Sequence, residues 1–126
     1  MKWNETLTPD DTRAFIEMLS EHFGVRKPGI KFTGRQQWRG TYLSVYKTIR
    51  VAPKTMPWVL AHEFAHYLDH IDNGRVVLRA ANDTEWHSQG FFYKLRKIVL
   101  ALGPGYPWKM EYKQIARWAA KDTLLS

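Results

Sequence analysis

The feature that most limits what this chain can become is the run Trp58-Val59-Leu60-Ala61-His62-Glu63-Phe64-Ala65-His66-Tyr67-Leu68-Asp69-His70. His62 and His66 stand four residues apart, with Glu63 directly after the first. In a helix, residues at i and i+4 lie one above the other on the same face. Two imidazoles so placed can bind one zinc ion, each through a nitrogen at about 2.0–2.1 Å. Glu63 is then held beside the ion without binding it, where it can take a proton from a water on the metal. Leu60, Ala61, Phe64, Ala65, Leu68 and Ile71 recur at helical spacing, so the run predicts a helix with a buried stripe and its histidines at a pocket edge. Thr55 is expected to cap this helix, Pro57 to sit in its first turn, and Asn73-Gly74 to stop it.

A catalytic zinc usually has three protein ligands and leaves its fourth position to water, so the third ligand is the next question. His70 lies eight residues after His62, about 12 Å further along a straight helix, too far to share an ion with it. Asp72 lies ten residues after His62, a spacing at which some zinc proteases place a third ligand, but they turn the chain at a Gly where this one has Asp69. His87 is better placed. It opens His87-Ser88-Gln89-Gly90-Phe91, which reads as the first turn of a second helix, capped by Asp83 or Thr84. Phe91, Leu95, Ile98, Val99 and Leu102 supply that helix's buried face. Glu85 is the fallback ligand, and a surface His beside Trp86 is the plainer reading of His87.

Leu60 to His70, followed after a loop by His87-x-x-x-Phe91, resembles the SprT-like zinc metallopeptidases. The resemblance spans roughly residues 30–100. It implies that His62, His66 and His87 hold one zinc ion per chain and that Glu63 is the general base. The family's usual Gly after the third His is Ser88 here, and Gly90 stands where an acidic residue is common. The four-Cys ribbon of many members has no counterpart in a chain without cysteine. The fold implied is α+β and zincin-like. A small, mainly antiparallel sheet of about three strands would pack against an N-terminal helix, the metal-binding helix and two C-terminal helices.

The remaining chain fits that outline as one domain over residues 1–126, long enough for one hydrophobic core. Thr8-Pro9-Asp10-Asp11 is a helix start, Phe15, Ile16, Met18, Leu19 and Phe23 give that helix an apolar side, and Gly24 ends it. Gly29–Phe32, Gly40–Val45 and Thr48–Ala52 read as strands, the last ended by Pro53. In zincin-like folds one sheet edge can pair with an extended substrate. There is no run of about 18 apolar residues, no apolar leader after Met1, and no cysteine; a cytoplasmic protein without a membrane span is expected.

Charge carries a second message. The chain has a net charge of +7, and between Glu21 and Glu63 there is no acidic residue. Arg35, Arg39, Lys47 and Arg50 fall in that interval. Lys109, Lys113, Arg117 and Lys121 follow at strict four-residue spacing on a last helix expected at about 108–122, with Ile115, Trp118 and Ala119 facing inward. Such a field attracts phosphates, and Trp38, Tyr42 and Tyr46 are interleaved aromatics able to stack bases. Ordinary solvated faces and core aromatics explain the same residues, so nonspecific nucleic acid is an expected partner only in one of two readings.

Together these features lead to a zinc-dependent endopeptidase whose zinc-bound water, activated by Glu63, attacks a peptide bond of a protein or peptide substrate. Spartan-type relatives degrade proteins crosslinked to DNA, so the resemblance extends to DNA-associated substrates. Two other readings stand beside it. One is a noncatalytic zinc-stabilised module that binds nucleic acid or protein. The other is a regulatory protease with one dedicated substrate.

Overall fold

The computed structural model describes residues 2–34, 40–73 and 87–125. Thr8 starts the first helix, α1 (Pro9–Phe23), by a capping box. Its hydroxyl accepts the Asp11 N–H at 3.2 Å, and the Asp11 carboxylate accepts the Thr8 N–H at 3.4 Å. Gly24 closes the helix in the left-handed region at φ 64°, a conformation that glycine adopts without a Cβ penalty. Phe15, Ile16 and Leu19 face the core, while Met18, expected on the same side, is exposed.

Three short strands follow: β1 (Gly29–Phe32), β2 (Thr41–Leu43) and β3 (Thr48–Val51). Their order is β1-β3-β2, with β1 parallel and β2 antiparallel to β3. The sheet is therefore mixed where mainly antiparallel pairing was expected. β2 and β3 are joined through a short 3-10 turn, Ser44–Tyr46, and can be antiparallel neighbours. β1 lies on the other side of β3 and pairs with it in parallel, Gly29 opposite Thr48 and Phe32 opposite Val51. Ile49 and Val51 alternate inward from the central strand.

The metal helix of the sequence reading is α2 (Pro57–Asn73), and it is the centre of the molecule. Every residue from Pro57 to His70 is buried, because α1, the sheet and the next helix surround it. A helix covered on all sides must be apolar on all sides unless its polar groups find partners. That rule makes each of its His, Glu and Asp residues informative. Thr55 does not cap α2 as expected. Its backbone instead bridges to Leu7, and its buried hydroxyl has no hydrogen-bond partner among the described residues. The exposed N–H groups of the first turn are served otherwise: Pro57 has none to satisfy, and Trp58 donates to the Trp3 carbonyl at 3.1 Å.

Among the described residues two more helices follow, α3 (Gln89–Leu102) and α4 (Lys113–Lys121). Ser88 caps α3 by accepting the Phe91 N–H at 3.3 Å, so the helix begins one turn later than expected and His87 precedes its cap. Asp83 and Thr84 lie outside the described residues. The last helix is also shorter than expected. Trp108–Met110 form a separate 3-10 turn, and the chain is extended at Glu111 before α4 starts. Lys109 therefore does not continue the stripe of Lys113, Arg117 and Lys121. Among the described residues, no helix is long and apolar enough to cross a membrane.

Candidate metal centre

Each of the three histidines is positioned by a different local cause. His62 and His66 share one face of α2 because they are one turn apart. His87 is brought to them by the packing of α3 along α2, with Phe91 as the pivot. Its ring stacks on His66 at 4.2 Å between centroids and lies 4.9 Å from His62 and 5.1 Å from His87. Phe91 is fully buried. It forms a hydrophobic floor that limits where the imidazoles can turn.

The nitrogens of His62, His66 and His87 available as ligands all lie within 4.8 Å of one another. His62 Nε2 and His87 Nε2 are 3.1 Å apart. Nitrogens placed tetrahedrally around a zinc ion would stand roughly 3.3–3.4 Å apart, so a small opening of the pair admits the ion. The donor chemistry fits as well. Burial, and after it the neighbouring His62 and His87, hold the His66 pKa well below its ordinary value, which keeps it in the neutral form that carries a free lone pair. Three buried imidazoles suit zinc, and together they could hold a metal ion.

Glu63 lies on the wall of a cleft that it shares with His62, Glu111, Tyr112, Trp58 and Gly40. Burial pushes its pKa up to about 7. The His62 ring and the Tyr42 backbone N–H pull it down, and Glu111 adds to the rise. Gly40 passes so close that a Cβ there would stand 2.8 Å from Val51 Cγ1 and 3.0 Å from Glu63 Cγ. The backbone leading into β2 thus packs closely against the Glu63 side chain at its Cγ.

The other candidate ligands are not in this group. His70 is buried at the far end of α2, where Tyr42 Oη lies 2.8 Å from its Nδ1. Asp72 is exposed and pairs with Lys94. Glu85 lies outside the described residues. Asp69 is buried and accepts from Asn73. Gly90 sits against it with no room for a Cβ, which would meet Asp69 Oδ1 at 2.9 Å.

One residue of the site was not anticipated. Glu111 places both carboxylate oxygens on His62 Nδ1, at 2.8 and 2.9 Å, and Tyr106 donates to the same carboxylate at 2.7 Å. Burial alone would raise the Glu111 pKa; the charge and hydrogen bond of His62, with Tyr106 and His87, outweigh it and hold the carboxyl below its ordinary range. A signal for it does exist in the chain. From Trp86 to Lys121, Glu111 is the only acidic residue, set among Tyr106, Trp108 and Tyr112. A continuous helix over 108–122 hid it, because that reading leaves position 111 on a solvated turn.

Of the residues expected to meet nucleic acid, Lys47, Arg50, Lys109, Lys113, Arg117 and Lys121 are exposed. Arg35, Arg39 and Trp38 lie outside the described residues. Tyr46 is exposed, but Tyr42 is buried and turned toward His70, so it cannot stack a base. Comparison of the chain with protein families, with curated proteins and with solved structures finds no match.

Proposed function

We propose that the chain is a zinc-dependent endopeptidase of the SprT-like kind. The observation that carries this reading is the convergence of three buried histidines, one of which, His62, also lines the cleft that holds Glu63. His62, His66 and His87 would hold the zinc. Bound there, it supplies a Lewis acid that acidifies a water and polarises a carbonyl.

The chain's own residues do the rest. Glu63, held in the cleft directly after His62, is placed to accept a proton from the attacking water and return it to the leaving amine. Among the described residues β2 pairs only with β3, which leaves its outer edge to an extended substrate. Backbone pairing there would lay a peptide along Gly40 and over Glu63. Tyr112 and Trp58 line the cleft beside the base.

Incubating wild type and Glu63→Gln with an unfolded protein substrate, with zinc measured on both, tests this. Cleavage by wild type that falls about 10²- to 10⁴-fold in Glu63→Gln, at one zinc per chain in each, is expected. Zinc in both with cleavage in neither would leave a noncatalytic module or a protease for one dedicated substrate.

The exposed basic residues favour a second property, binding of nucleic acid near the substrate. Such binding would be independent of sequence and would weaken steeply with salt. Fluorescence anisotropy of a labelled single strand at about 50 and 200 mM salt measures it. Charge reversal at Lys113 and Arg117 that leaves the salt slope unchanged would count against that helix as the contact.

A further inference from the structure

We infer that Glu111 is a positioning residue for the metal: it fixes the tautomer and orientation of His62, and Tyr106 in turn fixes Glu111. The inference rests on the metal-site reading above and deepens it. An acceptor carboxylate at 2.8 and 2.9 Å from Nδ1 requires that nitrogen to carry the proton. The lone pair of His62 is then on Nε2, the atom facing His87 at 3.1 Å. The Glu111 side chain is 1% exposed. A buried carboxylate without partners would be costly, and the hydrogen bonds from His62 and Tyr106 offset that cost. Tyr106 is itself wedged edge-on against Trp3 at 5.0 Å, and its hydroxyl lies 3.3 Å from the Trp58 carbonyl at the start of α2.

Two consequences follow. The negative charge of Glu111, passed through the imidazole, raises the basicity of the His62 nitrogen that meets the ion. Glu111 also ties the chain between α3 and α4 to the metal. Whatever holds the ion on His62 holds Glu111 in place, and by linkage the converse is true.

The test is zinc affinity measured against a chromophoric chelator, with the visible spectrum of the cobalt-substituted protein as a second readout. Wild type, Glu111→Gln and Tyr106→Phe are compared, with far-ultraviolet circular dichroism as the check on folding. Glu111→Gln is expected to weaken zinc binding about 10- to 100-fold and to shift the cobalt bands, with Tyr106→Phe moving both in the same direction by less. A residue that only braced the fold would lower stability and leave the cobalt bands where they are. If wild type binds one zinc and folded Glu111→Gln binds it equally well, the inference fails and the metal site stands. If Glu111→Gln does not fold, Tyr106→Phe decides: weaker zinc supports the inference, unchanged zinc overturns it. If wild type binds no zinc, the metal-site reading itself fails.

Discussion

The two ends of α2 carry the same residue type to different ends. His62, His66 and His70 are spaced i, i+4 and i+8 on one buried helix. The first two meet His87 over the ring of Phe91, while the third is 2.8 Å from the hydroxyl of Tyr42 on β2. Spacing alone separates His62 from His70, by about 12 Å of rise. It cannot say which of them His66 joins; the element packed against each end decides that. Where α3 meets the helix, three imidazoles face one another. Where the sheet meets it, one imidazole fastens a strand. A histidine motif thus defines a metal site only together with the element that supplies its remaining partners.

The largest expected effect tests that division directly. His66→Ala should lose zinc by far more than the 10- to 100-fold typical of an outer-shell change, whereas His70→Ala should bind zinc within about threefold of wild type. Competition with a chelator of known affinity measures both. Equal losses would mean that His70 is part of the site.

A second effect lies in the pH dependence of stability at the metal end. In the metal-free protein, burial raises Glu63 from 4.5 to about 7. Below about pH 4.5 it is protonated in folded and unfolded chains alike. Above pH 7 the folded chain must hold a buried carboxylate, at a cost of about 3 kcal/mol, so this stabilisation is lost as pH rises. His66 works in the opposite sense: below its ordinary 6.5 the unfolded chain binds a proton that the folded chain refuses, and stability is lost as pH falls. The two act in opposite senses at mildly acidic pH, so the prediction is a difference. Relative to wild type, Glu63→Gln should gain up to about 3 kcal/mol as pH goes from 5 to 8, read from urea unfolding in chelator. A difference that does not change with pH would mean that Glu63 is not desolvated.

The smallest effect belongs to the sheet end. Tyr42→Phe removes the hydroxyl and leaves the ring packed, so it should cost only about 1 kcal/mol and leave zinc affinity unchanged. Loss of zinc in that variant would show that the two ends are not independent.

How much of this could be read from the chain follows the same division. α1, α2 and the three strands were legible because each carries its own signal: Thr8 and Gly24 as caps, the 3.6-residue stripe through Leu68, the alternation of Ile49 and Val51. His62 and His66 were legible from a four-residue spacing, and His87 from opening the run His87-x-x-x-Phe91 at the start of a second helix. What was not legible depends on contacts between distant parts. Glu111 meets His62 across 49 residues, and it does so because the chain breaks between Trp108–Met110 and α4, where helical spacing of Lys109 and Lys113 suggested continuity. Tyr42 looked available to bases because strand alternation does not tell which face is covered until α2 is laid on it. The parallel pairing of β1 depends in the same way on which strand it reaches, not on its own residues.

The most direct test of the central claim is X-ray absorption at the zinc edge on the zinc-loaded chain. The arrangement of His62, His66 and His87 predicts three imidazole nitrogens at about 2.0–2.1 Å and one further light atom, with one imidazole lost in His87→Ala. A chain that retains no zinc, or a spectrum with fewer than three imidazoles that His87→Ala leaves unchanged, would contradict it.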